Sequence, residues 1–145
     1  MSNSLENNDK PNVIDKDGWQ AIRKSLENLH TPVELRCDGY KITLVLTRLS
    51  QFSNGIVVYV NNKINIKWLT NDCEERRRFY RPIQRSLYTP KQKKALGKVS
   101  KRMRKLSGIP DPDAKFTSYR HYWTSFNSLK NHLIKNNSVI ELIKA

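Results

Sequence analysis

The residues of this chain that could do chemistry are concentrated between positions 72 and 105. Asp72, Glu74 and Glu75 form an acidic cluster there, and carboxylates beside arginines could hold Mg²⁺ for phosphodiester cleavage. Acids at the start of a helix have a simpler explanation, because they satisfy free backbone N–H groups and the helix dipole without a metal. A nuclease would need a further carboxylate, such as Asp38, to converge on this cluster.

The cations of the same stretch are the larger signal. Residues 74–107 carry 13 of the 27 Lys and Arg residues but only 2 of the 13 Asp and Glu residues, and no acid occurs between Arg76 and Gly108. Charged helix faces ordinarily mix signs, because like charges four residues apart cost about 0.2–0.5 kcal/mol per pair. The concentration of one sign therefore predicts a polyanionic partner, with nucleic-acid phosphates first.

One long helix is predicted to carry many of these cations, over residues 90–107. Thr89 can cap it, Pro90 suits its first turn, and Gly108 follows its end. At 100° per residue, an apolar stripe and a lysine stripe fall on opposite sides, so we expect the first to pack and the second to face solvent. The apolar stripe is Leu96, Val99, Met103 and Leu106, and the lysine stripe is Lys94, Lys98, Lys101 and Lys105.

Phosphate contacts give affinity without reading base order, so the pattern does not distinguish DNA from RNA or single from double strands. Phe79, Tyr80 and Tyr88 stand among the arginines and could stack on unpaired bases, with burial beneath the basic helix as the alternative. No oligomeric state is predicted. The predicted nucleic-acid-binding residues are Arg76, Arg77, Arg78, Arg81, Lys94, Lys98, Lys101, Arg102 and Lys105.

The elements that must position these residues indicate an α+β fold. A tail over residues 1–14 is predicted to be flexible, and residues 15–145 are predicted to form one domain. Asp15 can cap a first helix that Thr31-Pro32 would stop, with Trp19, Ile22, Leu26 and Leu29 on one face. From Val33 to Trp68 the apolar period is two, which predicts a four-stranded antiparallel β-meander. Its strands centre on 33–37, 40–46, 56–60 and 64–68, with turns at Asp38-Gly39, Ser53-Asn54-Gly55 and Asn61-Asn62.

Helices are predicted to follow and to pack on one face of that sheet. Asp72 would open a short helix ended before Pro82, and Thr117 or Ser118 would open the last helix. Residues 139–143 fit either a helical turn or a strand added at the sheet edge. The apolar face of the last helix would be Tyr119, Tyr122, Phe126, Leu129 and Leu133.

Other chemistry finds little support. His121 and His132 are eleven residues apart on the predicted last helix, too far to share one zinc, and Cys37 and Cys73 lack the spacing of a metal site. No glycine-rich phosphate loop or nucleophile motif occurs, so we expect no enzyme, no metal and no cofactor. The polar start predicts no secretory leader, and no apolar run approaches about 20 residues, so we expect a cytoplasmic protein that does not bind membranes.

Two resemblances add to these patterns. The run Tyr122-Trp123-Thr124-Ser125-Phe126 with His132-Leu133-Ile134-Lys135, after the arginine-rich stretch, resembles small basic accessory proteins of bacteriophages and plasmids. That resemblance implies a bacterial mobile-element setting and supplies no activity. The helix, sheet, helix order and Lys93-Lys94-Ala95 resemble double-stranded RNA-binding domains, but the four strands and the insertion of residues 72–88 depart from them, so no site residues are carried over.

Three functional hypotheses follow from the sequence. The leading one is a non-enzymatic nucleic-acid-binding accessory protein that contacts the phosphate backbone. The second is an interaction or inhibitor protein that docks on an acidic host protein. The third is a metal-dependent nuclease built on Asp72, Glu74 and Glu75.

Overall fold

The chain forms an α+β structure in a computed structural model that describes residues 13–145. The predicted tail lies outside the described residues except at its end, where Ile14 is buried in the core. The helices are α1 (Lys16–Ser25), α2 (Lys67–Thr70), α3 (Glu74–Phe79), α4 (Pro90–Gly97), α5 (Lys101–Leu106) and α6 (Phe126–Asn136). The strands are β1 (Val33–Cys37), β2 (Tyr40–Ser50), β3 (Ser53–Val60), β4 (Arg81–Ser86), β5 (Lys115–Arg120), β6 (Tyr122–Trp123) and β7 (Ile140–Lys144).

Two compact units make up the described chain. The core unit contains residues 13–81 and 119–145, and the cationic unit is Pro82–Ser118. Every buried apolar residue lies in the core unit, and none lies in the cationic unit. The boundary between the two units falls where the burial of apolar side chains stops. The single domain over residues 15–145 stays a prediction.

The core unit is built on a five-stranded antiparallel sheet in the order β6-β3-β2-β1-β7. Three strands of the predicted meander are present as β1, β2 and β3. The fourth, predicted over residues 64–68, is wrong, because the side chain of Asn65 accepts a hydrogen bond from the backbone N–H of Lys67 at 3.0 Å and helix α2 begins there instead. The sheet is completed by β6 and β7, so residues 140–143 of the segment 139–143 belong to a strand at the sheet edge.

The turns of the sheet follow the predicted chemistry in part. Asp38 and Gly39 connect β1 to β2 with φ of 46° and 91°, and Asn61 and Asn62 also have positive φ, as predicted. The β2–β3 turn differs from its predicted place, because Ser50 pairs with Ser53 and the residues after it already belong to β3.

One face of the sheet carries the core. Leu35, Ile42, Leu44, Val58 and Val60 alternate along β1, β2 and β3 and are almost completely buried. Helices α1, α3 and α6 supply the facing side chains, which are Trp19, Ile22, Phe79, Leu129 and Leu133. The prediction that helices pack on one face of an antiparallel sheet is thus confirmed.

The first helix begins as predicted and ends early. The side chain of Asp15 accepts a hydrogen bond from the N–H of Gly18 at 2.7 Å, so the predicted cap is confirmed. Helix α1 ends at Ser25 rather than near Thr31-Pro32, and Leu29 is exposed in the turns that follow.

The predicted last helix begins eight residues too early. Residues 115–120 form β5, which pairs with β4, and helix α6 begins only after Ser125, whose hydroxyl accepts from the N–H of Ser128. Aromatic and β-branched residues fill this stretch, and strand pairing overrides its helical periodicity. None of the helices in the described part of the chain has the length and apolar character needed to span a bilayer.

Candidate nucleic-acid interface

The predicted basic helix is interrupted, and its break arranges the cations of the cationic unit. Helix α4 begins as predicted, since Thr89 and Gln92 form a reciprocal capping box. It stops at Gly97, and the hydroxyl of Ser100 accepts from the N–H of Met103 at 3.2 Å to begin helix α5. The prediction of one continuous helix over residues 90–107 is therefore wrong. Gly97 favours the end of the first helix, and the capping side chain of Ser100 favours the start of the second.

Arg104 holds this break in place. Its guanidinium donates to the carbonyl oxygens of Leu96 at 3.1 Å, in the last turn of α4, and Val99 at 3.0 Å, between the two helices. The sequence does not predict these two contacts, because both carbonyl groups lie close to Arg104 only once the helix has been broken.

The five predicted binding residues of the cationic unit are all exposed. They are Lys94, Lys98, Lys101, Arg102 and Lys105. The unit carries ten Lys or Arg against two Asp, a net charge of +8 in 37 residues. Among the described residues, no ion pair involves any of these ten cations.

Three of the cations line one depression. Lys101, Arg104 and Lys105 surround a volume of about 140 Å³ together with Ile109 and Asp111. The carboxylate of Asp111 already accepts from the N–H of Asp113 at 2.9 Å. Two ammonium groups and a guanidinium around one hollow are suited to charge-assisted hydrogen bonds with phosphate oxygens.

The apolar stripe of the cationic unit does not pack as predicted. Met103 is 56% exposed and Leu106 is 74% exposed, while Val99 and Leu96 are only partly covered. The break in the helix removes the single face on which the four side chains were expected to align. The unit therefore presents apolar as well as cationic side chains.

The arginines of α3, in the core unit, are held by carboxylates of that unit. Arg78 forms ion pairs of 2.7 Å with both Asp38 and Glu74, and it also donates to the side chain of Asn137 at 3.1 Å. Only 23% of its side chain is exposed. Arg78 is thus placed as a structural centre between the β1–β2 turn, α3 and the end of α6.

Arg76 and Arg77 share Asp72. Arg77 lies 2.8 Å from its carboxylate, and Arg76 lies 3.7 Å from it, an ion-pair distance too long for a hydrogen bond. The guanidinium of Arg76 stacks 4.1 Å from the ring centre of Tyr119, and its buried Nε has no hydrogen-bond partner. The expected capping role of Asp72 passes to Cys73, whose sulfur accepts from the N–H of Arg76.

Arg81, the fourth predicted arginine, is half-buried and donates to the hydroxyl of Thr124 at 3.5 Å. The nine predicted residues therefore divide into five unpaired cations of the cationic unit and four arginines of the core unit with local partners. Phe79 and Tyr80 are completely buried, so the alternative of burial holds for both rings, but the core of the sheet covers them rather than the basic helix. The hydroxyl of Tyr88 donates to the carbonyl of Pro110.

The acidic cluster does not assemble as a metal site. Within residues 13–145, no group of three His, Cys, Asp or Glu side chains lies close enough to hold a metal ion. Asp72 and Glu74 are instead engaged with arginines of α3. The geometry on which a nuclease at Asp72, Glu74 and Glu75 depends is missing from the described residues.

The histidines and cysteines have local surroundings that favour structural roles. His121 lies between β5 and β6 rather than on the last helix, and His132 lies on α6 with Nε2 2.9 Å from the carbonyl oxygen of Arg77. Burial lowers the pKa of His132, so it is neutral and can donate to that carbonyl at neutral pH. Burial also raises the pKa of Cys37 to about 12, which keeps this thiol protonated and a poor nucleophile.

Comparison with known proteins adds no relative: no family model, no curated protein and no solved structure matches this chain.

Proposed function

We propose that the protein binds nucleic acid without enzymatic activity, through phosphate contacts made by the cationic unit. The observation that carries the proposal is the net charge of +8 within Pro82–Ser118, with no internal ion pair among its described cations. Uncompensated like charges repel one another, and a polyanion relieves that repulsion while releasing its own counterions. The three arginines of α3 contribute less to the proposed phosphate binding, because each of them already forms an ion pair with a carboxylate.

The proposal narrows the predicted interface to the cationic unit. Lys94, Lys98, Lys101, Arg102 and Lys105 would contact phosphates, and Arg104 would join them at the depression that it lines with Lys101 and Lys105. Such contacts are indifferent to base order. A setting in a bacteriophage or plasmid stays a prediction from the resemblance of the sequence.

A salt titration tests this interface. The affinity of the full chain for a labelled duplex of about 20 base pairs is measured by fluorescence anisotropy between about 50 and 200 mM salt. The double variant Lys98→Glu with Lys101→Glu is expected to bind at least about tenfold more weakly and to lower the slope of log K against log salt by about 2.

A matched control separates this face from net charge. Lys16→Glu with Lys24→Glu, on helix α1, changes net charge equally at two other exposed lysines. We expect the control pair to bind nearly as tightly as the wild type. Equal losses for the two pairs would show that only overall charge matters, and a wild type that binds no nucleic acid at low salt would overturn the proposal.

A second candidate function is docking on an acidic protein. The exposed side chains of Met103 and Leu106, within a cationic surface, favour it, because phosphate contacts leave apolar groups unused whereas protein interfaces bury them. Met103→Gln with Leu106→Gln keeps every charge and removes the apolar contact. If a stoichiometric partner from nuclease-treated lysate of the source cells is lost in this variant while nucleic-acid affinity is unchanged, the cationic unit serves a protein partner.

A further inference from the structure

The second face of the core sheet differs from the first, because the buried cluster that the described helices of the core unit join lies on the first face. Paired residues on neighbouring strands share a face, and Thr43 opposes Tyr59 while Val57 opposes both Val45 and Tyr122. Among the described residues of the core unit, the helices contribute to the buried cluster on the opposite face only. Tyr59, Tyr122 and Thr43 are half-buried rather than covered.

Two tyrosines occupy neighbouring register positions on this face. Tyr59 lies two residues along β3 from Val57, the partner of Tyr122, so the two tyrosines are diagonal neighbours about 7–8 Å apart. The guanidinium of Arg120 lies 5.6 Å from the ring centre of Tyr122 and donates to its hydroxyl at 2.7 Å. Two aromatic residues at neighbouring positions of a sheet face, with a cation beside one of them, suit the stacking of successive unpaired bases.

A polar atom without a partner lies beside these rings. Thr43, Val45, Tyr59 and Asn62 line an open depression of about 270 Å³. The hydroxyl oxygen of Thr43 is buried and makes no hydrogen bond. A buried hydroxyl without a partner is costly, and rotation of the Thr43 side chain about χ1 would turn it toward the depression, where an edge of a base or a ribose hydroxyl would satisfy it.

The charge of this region suits an anionic strand. No Asp or Glu occurs between Gly39 and Asn71, while four Lys or Arg do. Glu34 lies on the same face, and its carboxylate is 3.7 Å from the ammonium of Lys41. Lys41 lies opposite Arg36 on this face and Arg120 lies beside Tyr122, so a phosphate backbone that crosses the face meets cations.

We infer that this face is a platform for single-stranded nucleic acid, on which Tyr59 and Tyr122 stack unpaired bases while Thr43 bonds to one of them. The inference rests on the proposed function and adds a substrate class to it. Duplexes have no unstacked bases to offer, so the platform would favour single strands, whereas phosphate contacts of the cationic unit would serve both.

Removal of the rings tests the stacking. Single-stranded and duplex forms of one labelled oligonucleotide are titrated against the full chain and its variants. Tyr59→Leu with Tyr122→Leu is expected to weaken single-strand binding about tenfold or more and to leave both the salt slope and duplex binding unchanged. Tyr59→Phe keeps the ring and is expected to bind like the wild type.

The orphan hydroxyl offers a sharper pair of variants. Thr43→Val is nearly isosteric and should weaken single-strand binding several-fold without loss of thermal stability, because it removes an unsatisfied group. Thr47→Val, four residues from Thr43 along β2, on the same face and outside the lining of the depression, is the matched control and should change neither property. If the two valine variants bind the single strand with equal affinity, the hydroxyl of Thr43 takes no part in binding.

The outcomes separate this inference from the proposed function. The platform alone would be overturned if the tyrosine variants kept the single-strand affinity of the wild type while the double variant Lys98→Glu, Lys101→Glu lost affinity. No binding of any oligonucleotide would overturn both. If the tyrosine variants do not fold, photocross-linking of the wild type to a single strand containing 5-iodouridine decides instead, since cross-links at Tyr59 or Tyr122 support the platform and cross-links confined to other residues overturn it.

Discussion

Asp38 joins three distant parts of the core unit through one carboxylate. It accepts from the guanidinium of Arg78 at 2.7 Å and from the backbone N–H groups of Ser138 and Val139, both at 2.8 Å. Asp38 itself lies in a tight turn with positive φ, a conformation that Asp and Asn tolerate. The residue thus ties the β1–β2 turn to α3 and to the entry of β7.

Replacement of Asp38 is expected to lower stability in a pH-dependent way. The hydrogen bond from Ser138, then those from Val139 and Arg78, hold the pKa of Asp38 below its ordinary value of 3.8. A lowered pKa in the folded state contributes stability that is complete above 3.8 and is lost as pH falls through the folded value. Asp38→Asn keeps the turn and should lose about 1–2 kcal/mol of unfolding free energy at pH 7.

Urea unfolding at several pH values checks this expectation. The difference between wild type and Asp38→Asn should be constant between about pH 5 and 7 and should shrink below about pH 4. Glu27→Gln, at an exposed position, is the control and should match the wild type throughout. A difference that persists unchanged to low pH would show that the carboxylate charge is not the stabilising group.

At the scale of elements, the junction of α4 and α5 depends on Arg104. Arg104→Gln and Arg102→Gln each remove one charge from α5, but only Arg104 bonds to the carbonyl oxygens of Leu96 and Val99. Amide hydrogen exchange over residues 98–107 is expected to accelerate about tenfold in the first variant and little in the second, because charge-assisted bonds hold the break closed. Equal rates of amide hydrogen exchange in the two variants would show that Gly97 and Ser100 alone maintain the break between α4 and α5.

Local chemistry predicted elements well where the deciding contacts are local. The Asp15 cap, the Asp38-Gly39 turn and the Thr89-Pro90 helix start each depend on residues within a few positions, and each is confirmed. Alternation likewise identified β1, β2 and β3. The pairing of residues 115–120 with β4 was not predicted, because strand partners more than 30 residues apart leave no local signal in the sequence.

The candidate site was predictable in composition more than in arrangement. The charge concentration identified the lysines of the cationic unit, and they are exposed as expected. The partners of Arg76, Arg77 and Arg78 could be read only in part, since Asp72 and Glu74 are neighbours in sequence whereas Asp38 is 40 residues away from Arg78. Sequence patterns identify a charge, and the fold determines whether a counter-charge meets it.

For the whole molecule, the cationic unit is expected to be the first part to yield to a protease. It contains no buried residue, so local opening of this unit costs little free energy. Limited trypsin digestion should cut first between positions 91 and 105, and an oligonucleotide that binds there should slow those cuts. First cuts at Lys63 or Lys67 of the core unit would contradict this order of stability.

The contacts of Asp38 also set the order in which the protein can fold during synthesis. The backbone partner of its carboxylate, Ser138, follows it by 100 residues, and β7 pairs with β1. A ribosome therefore makes β1, β2, β3 and the whole cationic unit before it makes α6 and the strand that completes the sheet. The cations of the nascent chain are therefore exposed before the core can close, and the core unit reaches its native state only after β7 has left the ribosome.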